Sequence, residues 1–150
     1  MFISRRRIRV DWGHCDPAGI VFYPNYFRWF DASTAVMFEA AGLPLPELYR
    51  ELGLKGFPLL DARASFSGSS SFGDDLDCDS CICEWHAKTF KVQHRLSRDG
   101  TLLVEGFELR IAAVPDPDDP KRIKAAPIPD IVKRTLGGAA AVVPATARTR

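Results

Sequence analysis

The residues of this chain that could do chemistry begin in one stretch, VDWGHCDPAGIVFYPNYFRWFDAS, which runs from residue 10 to residue 33. It carries two carboxylates, Asp16 in a turn-forming segment and Asp31 inside an aromatic run. A carboxylate beside helix N-terminal amides can attack a carbonyl carbon, or activate water to do so, while the amides stabilise the oxyanion. An Asp before Pro-Ala-Gly is also an ordinary turn residue, so the residues alone leave both interpretations of Asp16 open.

Other reactive side chains are weaker candidates. Cys15 lies next to Asp16, but its neighbour His14 is not expected to face it from a turn. His94 lies on an apolar strand face, where we expect a packed or hydrogen-bonded histidine. No Ser-His-Asp or Cys-His signature is visible, which leaves a carboxylate as the expected agent. On a helix, Asp31 could instead pair with the arginine three residues before it, Arg28.

The first part of the chain must position these residues. Alternation over residues 3–10 predicts a first strand. Asn25 is expected to cap a helix over residues 26–41, which is apolar on nearly every side and is therefore expected to be buried. Residues 46–52, with a proline at their start, predict a short second helix.

The later part of the chain predicts an antiparallel meander with period-2 patterning. The residues expected to share a face are Leu60, Ala62, Ala64 and Phe66, then Cys81, Cys83 and Trp85, then Phe90, Val92, His94 and Leu96, then Leu103, Phe107, Leu109 and Ile111. A last short strand and a helical turn over residues 130–136 follow, and residues 137–150 are expected to be a flexible tail. We therefore predict one α+β domain over residues 1–136, whose exposed sheet face favours a second copy as partner.

Composition limits the classes of function. The chain has 150 residues, of which 46% are hydrophobic and 26% charged, typical of one globular domain. Its net charge of +1, from 20 basic and 19 acidic residues, gives no reason to expect a nucleic-acid partner. No apolar run approaches the roughly 20 residues of a membrane span and no signal peptide is visible, so we expect a cytoplasmic protein. Its four cysteines would then be reduced thiols, and the spacing in CDSCIC fits no convincing metal template.

The stretch quoted first resembles the signature of the 4-hydroxybenzoyl-CoA thioesterase family, most specifically in DPAGIVFYPNYFRWFDA. The resemblance continues through LDARASF, GDDLDCDSCICEWHAKTF and GFELRIAAV, and so covers about residues 8 to 130. It implies the hotdog fold, in which an antiparallel sheet of five or six strands wraps around one long central helix. It also implies hydrolysis of an acyl-CoA thioester with no metal and no cofactor.

The resemblance implies roles for particular residues. The catalytic carboxylate falls on Asp16, and the backbone N–H that holds the carbonyl oxygen falls on Tyr23. Asp31 falls where the family's aspartate lies near the phenol group of the substrate. Trp29 and Phe30, in the aromatic run, are expected to serve the core and to form an apolar wall for the acyl group. The family also suggests a homodimer or homotetramer with sites at the subunit interface.

The chain departs from the family's pattern in EWHAKTF. The family's best-known member carries two arginines where this sequence has His86 and Ala87, so that only Lys88 remains to bind the CoA phosphates. One lysine is a point charge where arginines grip phosphates with paired donors. CoA binding is therefore expected to be weaker, or to use other basic residues such as Lys91 and Arg95.

Several alternatives stay open at this point. Asp16 could act as the nucleophile or as the general base for water. The acyl group could be short or branched aliphatic instead of aromatic, and the thioester could be carried by an acyl carrier protein instead of CoA. A non-catalytic acyl-CoA-binding module is the alternative of another class, but such a module has no reason to place a carboxylate near an electrophilic carbonyl.

Overall fold

The computed structural model describes residues 1–138 and the backbone of residues 141–144. The strands are β1 (Phe2–Arg9), β2 (Leu59–Phe66), β3 (Asp75–Trp85), β4 (Thr89–Arg98), β5 (Thr101–Ile111), β6 (Ala113–Pro115), β7 (Ile123–Ala125) and β8 (Ala141–Pro144). The helices are α1 (Pro24–Ala40), α2 (Leu45–Leu52) and α3 (Asp130–Gly137), and a one-turn 3-10 helix spans Trp12–His14. Among the described residues, no helix is both long and apolar enough to cross a membrane.

The described strands form one large sheet with the order β2-β5-β4-β3-β1-β8, and β6 and β7 form a separate pair. Neighbours in the large sheet are antiparallel except β1 and β8, which are parallel. The β4–β5 turn contains Asp99 and Gly100, both with positive φ, as the tight RDG turn predicts. The predicted α+β architecture, with an antiparallel meander beside one long helix, is confirmed.

The end of the chain differs from the prediction. Residues 141–144 form β8, which pairs in parallel with β1 at the edge of the sheet. The expectation of an irregular tail from residue 137 is therefore wrong for these four residues, because backbone pairing with an edge strand needs no apolar alternation in the sequence. The rest of the predicted tail, residues 139–140 and 145–150, lies outside the described residues.

Helix α1 packs against the sheet with one side only. Its buried residues follow helical spacing and are Asn25, Tyr26, Trp29, Phe30, Ser33, Thr34, Met37 and Phe38. The opposite side, which carries Arg28, Asp31 and Ala35, is exposed in the single chain. The prediction that α1 is buried all round is thus wrong for this side, whose apolar residues Phe27 and Val36 are only partly covered.

Helix α1 packs tightly against the sheet at Phe30. Its ring stacks on the His94 ring at 4.8 Å between centroids and 10° between planes. The next strand offers Gly106, and a Cβ built there would lie 2.3 Å from the Phe30 ring. Only glycine therefore lets the helix lie this close to β5.

Strand β3 contains a bulge that changes which residues face the core. The register against β4 shifts between Ile82 and Glu84. This shift turns Trp85 to the core side, where its ring lies 5.9 Å from that of Phe90. The prediction that Trp85 shares a face with the last two cysteines of CDSCIC is therefore wrong.

Strand β5 turns a charged face towards α1. From Phe107 onward the apolar residues share a face as predicted, but this face is the outer one and is only partly covered. The inner face carries Glu108 and Arg110, which are 2% and 9% exposed. Burying charges is costly unless they are paired, so these two residues must find partners inside the fold.

We expect Gly106→Ala to lower the free energy of unfolding by about 2 kcal/mol or more, because the added methyl group collides with a buried aromatic ring that cannot move away. Urea unfolding measures this change. Gly13→Ala is the matched control, since a Cβ at residue 13 meets no atom within 4 Å. Equal effects of the two substitutions would contradict the packing described for α1.

Candidate active site

The turn at Asp16 is held by its own backbone. The Asp16 N–H donates to the Ile20 carbonyl at 2.9 Å, and the Gly19 N–H donates to the Asp16 carbonyl at 2.9 Å. Gly19 has a φ of +80°, which favours glycine. The Asp16 carboxylate accepts a hydrogen bond from the Ala18 N–H through Oδ1 at 2.8 Å, so it has the turn role that the sequence left open. Its second oxygen, Oδ2, has no protein partner in the described chain and is left for other contacts.

The start of α1 is tied directly to this turn. The His14 carbonyl accepts two hydrogen bonds, from the Phe22 N–H at 2.9 Å and from the Asn25 Nδ2 at 2.8 Å. Helix α1 begins at Pro24, with Tyr23 as the residue before it. Asn25 was expected to cap the helix, and this prediction is wrong, because its side chain reaches back to the turn instead.

A cleft of ≈ 360 Å³ lies between the turn and the helix start. Its lining residues are Gly13, Cys15, Asp16, Pro17, Phe22, Pro24, Asn25 and Arg28. The Tyr23 backbone N–H lies between two of these lining residues and has no acceptor within the described chain. An unpaired amide at a helix N-terminus, beside a carboxylate with one free oxygen, is a suitable arrangement for addition to a carbonyl.

The two reactive neighbours of Asp16 are otherwise engaged. The His14 Nδ1 accepts a hydrogen bond from the Asp11 N–H at 2.9 Å, and its ring packs edge-on against Trp29 at 5.1 Å. The Cys15 sulfur lies 3.9 Å from the Asp11 carbonyl. No histidine activates Cys15 in the described residues, which agrees with a carboxylate as the reacting group.

The structure does not bring Asp31 to this cleft. Asp31 lies eight residues beyond Tyr23 on α1, about 12 Å along the helix axis at the usual rise per residue. Its carboxylate pairs with Arg110 at 2.5 Å, and its side chain is 72% exposed. The alternative pairing with Arg28 is not formed. Sequence reasoning missed Arg110 because a charged residue in an apolar strand pattern is expected to face solvent.

Trp29 and Phe30 belong to the core. Trp29 is 6% exposed and packs against Tyr26, while Phe30 is fully buried. In the single chain neither presents a free wall to an acyl group, because both rings point between α1 and the sheet. This agrees with the expectation that they serve the core, and both rings support the helix whose start borders the cleft.

Lys88 lies away from the cleft, in the exposed turn between β3 and β4. On the outer face of the sheet nearby, a groove of ≈ 320 Å³ is lined by Asp61, Arg63, Glu84, His86, Lys91, Phe107 and Leu109. The His86 ring pairs with Glu84 at 2.7 Å, and Arg95 pairs with Glu105 at 3.1 Å. Lys88 and Lys91 make no ion pair within the described residues, although the Lys91 ammonium group lies 4.6 Å from the centroid of the Phe107 ring. They are therefore the basic groups here whose charge no carboxylate balances.

His94 is the buried histidine that the sequence predicts. Its Nδ1 lies 2.8 Å from the Ser80 hydroxyl, and its Nε2 lies 3.3 Å from Glu108. Burial lowers the pKa of His94, an effect that the Glu108 carboxylate only partly opposes. Burial acts to raise the pKa of Glu108, but hydrogen bonding to His94 and the charge of Arg110 outweigh it and the pKa is lowered. We infer a neutral histidine beside an ionised glutamate.

Comparison with known proteins places this geometry in a family. The model of the thioesterase-like superfamily matches residues 10–136. The chain belongs to the thioesterase-like superfamily. The match spans the cleft, α1 and strands β2 to β7, so the residues around Asp16 lie within the region that the superfamily model covers.

Individual relatives support the assignment to this superfamily. The chain is 38% identical, over 127 residues, to the 4-hydroxybenzoyl-CoA thioesterase of Pseudomonas sp. strain CBS-3, a match that covers 81% of this chain and 88% of the relative. The solved structure of that Pseudomonas enzyme matches with a TM-score of 0.81 at 34% identity, covering 89% of this chain and 98% of the other. The structure of BH1999 gentisyl-coenzyme A thioesterase matches with a TM-score of 0.75 at 28% identity, covering 89% and 99%. These matches confirm the hotdog fold and the predicted thioesterase family.

We expect stability to fall as the pH is lowered below about 6.5, the ordinary pKa of histidine. Between that pH and the lowered pKa of native His94, the unfolded chain binds a proton that the folded chain does not. Lowering the pH therefore lowers the free energy of unfolding. The slope for this one group is at most about 1.4 kcal/mol per pH unit.

Urea unfolding at several pH values between about 5 and 7 tests this, in a range above the usual glutamate pKa. His94→Gln should flatten the slope, because it removes the buried group whose pKa is lowered in the folded chain. An unchanged slope in His94→Gln would show that another group causes the pH dependence.

Proposed function

We propose that this protein hydrolyses acyl-CoA thioesters, and that its preferred acyl group is aromatic with a polar ring substituent, such as 4-hydroxybenzoyl. The observation that carries the proposal is the cleft that is lined by Asp16 and by the two residues on either side of Tyr23, whose backbone N–H is unpaired within the described chain. The 4-hydroxybenzoyl-CoA and gentisyl-coenzyme A thioesterases among its relatives support an aromatic acyl group. The same site would also accept related acyl-CoA esters less well.

In this mechanism the thioester carbonyl oxygen accepts a hydrogen bond from the Tyr23 N–H. The partial positive charge of the helix N-terminus stabilises the oxyanion as the tetrahedral intermediate forms. Asp16 either attacks the carbonyl carbon, forming a mixed anhydride that water then hydrolyses, or removes a proton from an attacking water. In both routes the CoA thiolate leaves and is protonated, and the free acid is released.

We propose further that the active unit is a homodimer with each site at the subunit interface. Strand β2 is an open edge of the described sheet, and it carries Leu59, Leu60 and Phe66 exposed. Exposed aromatic side chains add to this surface: Trp12 packs edge-on against Phe72, and Phe22, which lines the cleft, packs edge-on against Tyr23. Such a surface is typical of an interface.

The position of Asp31 also favours a dimer. Asp31 lies roughly 12 Å of helix beyond Tyr23 and does not line the cleft that contains Asp16, so a single chain does not place it in that cleft. A second copy packed against the open side of α1 would supply that carboxylate. The partly covered outer face of β5 offers a further surface through which dimers would pair into a tetramer.

Lys88, together with Lys91, is proposed to bind the CoA phosphates, since both lysines lack ion-pair partners in the described chain. Two lysines grip phosphates less firmly than the arginines of the family's pattern. This favours one alternative substrate, a thioester carried by an acyl carrier protein, in which the adenosine phosphates are absent. A cytoplasmic location fits either substrate and the four unpaired cysteine thiols.

We expect Asp16→Asn to lower thioester hydrolysis by at least about 100-fold, because the amide still accepts the Ala18 hydrogen bond but can neither attack nor take a proton. Release of free thiol from 4-hydroxybenzoyl-, benzoyl-, phenylacetyl-, butyryl- and octanoyl-CoA measures it. Asp118→Asn, at an exposed loop carboxylate, is the control and should leave all rates unchanged.

Three results of this assay would change the proposal. Turnover indifferent to Asp16→Asn would overturn the mechanism. Turnover of only the aliphatic esters would keep the chemistry and exclude the aromatic substrate. Turnover of carrier-protein thioesters but of no CoA ester would select the alternative substrate, and tight binding without any turnover would indicate a binding module.

We expect Phe66→Glu to yield monomers with little activity, because a charge on the open edge at β2 opposes burial against a second copy. Sedimentation velocity and thiol release measure the two effects. Ile123→Glu is the matched control, since Ile123 is 54% exposed against 52% for Phe66 but lies on β7, away from the edge. A monomeric and fully active wild type would refute the interface.

A further inference from the structure

The mechanism leaves one charged cluster unused, and this cluster ends on Asp31. It runs from the buried His94 and Glu108 through Arg110 to the exposed carboxylate of Asp31. Its members come from β4, β5 and α1, so it joins the sheet to the helix. A chain of buried charges that opens to the surface at one carboxylate calls for a function beyond packing.

Arg110 is fixed before it reaches Asp31. Its Nε and Nη2 donate to the two oxygens of Glu108 at 3.1 and 3.0 Å, and its Nη1 donates to the Phe57 carbonyl at 3.2 Å. Its Nη2 also donates to the Asp31 Oδ1 at 2.5 Å. The planar guanidinium therefore has one orientation, and the direction of its remaining bond is set by the protein core.

Glu108 is fixed in turn. The Thr34 hydroxyl donates to its Oε2 at 2.7 Å, and His94 lies against the same oxygen at 3.3 Å. Thr34 is three residues beyond Asp31 on α1, so Glu108 and Arg110 bind two successive turns of the same helix. The position of the Asp31 side chain is therefore set by residues of the sheet as well as by its own helix.

Asp31 itself is exposed apart from this bond. Its side chain is 72% accessible, and in the described residues only Oδ1 has a partner, so Oδ2 faces outward. An aspartate this exposed would otherwise rotate among several conformers. The bond from Arg110 removes that freedom before any ligand arrives, which is the condition for strong recognition of a polar group.

We propose that Arg110 is a positioning residue that sets the acyl-group specificity of the enzyme by holding the outward oxygen of Asp31 ready for the polar substituent of the acyl group. This inference rests on the proposed function, in which Asp31 recognises a ring hydroxyl. It adds that recognition depends on a residue that does not touch the substrate. The guanidinium also balances the negative charge that Asp31 brings to an otherwise apolar acyl site.

The test compares the kcat/KM ratio of 4-hydroxybenzoyl-CoA to benzoyl-CoA. We expect Arg110→Lys to lower this ratio about tenfold, because a lysine cannot serve Glu108, the Phe57 carbonyl and Asp31 in one geometry. In an Asp31→Ala background the same substitution should leave the ratio unchanged. Arg5→Lys is the matched control, at an arginine that pairs with Asp79 outside the cluster.

A purely structural role gives a different result. It would lower kcat/KM for both esters equally, or change the ratio equally with and without Asp31, and either result would overturn the proposal. If Arg110→Lys does not fold, the double substitution Glu108→Gln/Arg110→Gln removes both buried charges together and carries the same expectation.

The same measurements distinguish failure of the proposed function from failure of the role of Arg110. If the wild type shows no preference for the hydroxylated ester, or Asp31→Ala does not change that preference, the assignment of Asp31 fails without any change at residue 110, and the role of Arg110 falls with it. If Asp31→Ala removes the preference while Arg110→Lys keeps it, only the role of Arg110 is refuted.

Discussion

The contact between α1 and the sheet is the constraint on which the rest of the structure depends. Phe30 can lie flat on His94 only because β5 offers Gly106 at the point of contact. This close approach fixes the distance of α1 from the sheet and its rotation about its own axis. Since the first residues of α1 face the Asp16 turn and its middle carries Asp31, one packing contact sets the position of both acids relative to the sheet.

The chain meets two different electrostatic demands along this one helix. At the N-terminus an unpaired backbone amide lies near a partly exposed carboxylate, which suits the short-lived charge of a reaction intermediate. In the middle, the charges of Glu108 and Arg110 are permanent and buried, so each needs several partners at once. In the proposed mechanism, catalysis therefore uses the start of the helix, where the amide and one carboxylate oxygen are unpaired. The proposed positioning of Asp31 uses the buried side of the helix, where the charged groups already have several partners.

The sequence allows much of this arrangement to be predicted, and the failures have physical causes. The helix, the meander and the Asp16 turn follow from periodicity and turn chemistry, which are local. The inward face of β5 was not predictable in this way, since Glu108 and Arg110 are stabilised by partners 14 to 79 residues away that no local pattern reveals. The role of Asn25 was missed for the same reason, because its acceptor lies in the preceding turn.

The separation of the two acids bears on how specificity can change within such a fold. In the proposed mechanism Asp16 and Tyr23 act on the thioester group that all substrates share, and the turn that carries Asp16 is held by hydrogen bonds within a single short segment. The acyl group must be recognised elsewhere, and Asp31 lies about two turns farther along α1, on the side that a second copy would cover. Substitutions at Asp31 or around Arg110 can then alter the acyl preference without disturbing the turn at Asp16. In that arrangement the reaction depends on the Asp16 turn and the start of α1, and selectivity depends on the middle of the helix, around Asp31.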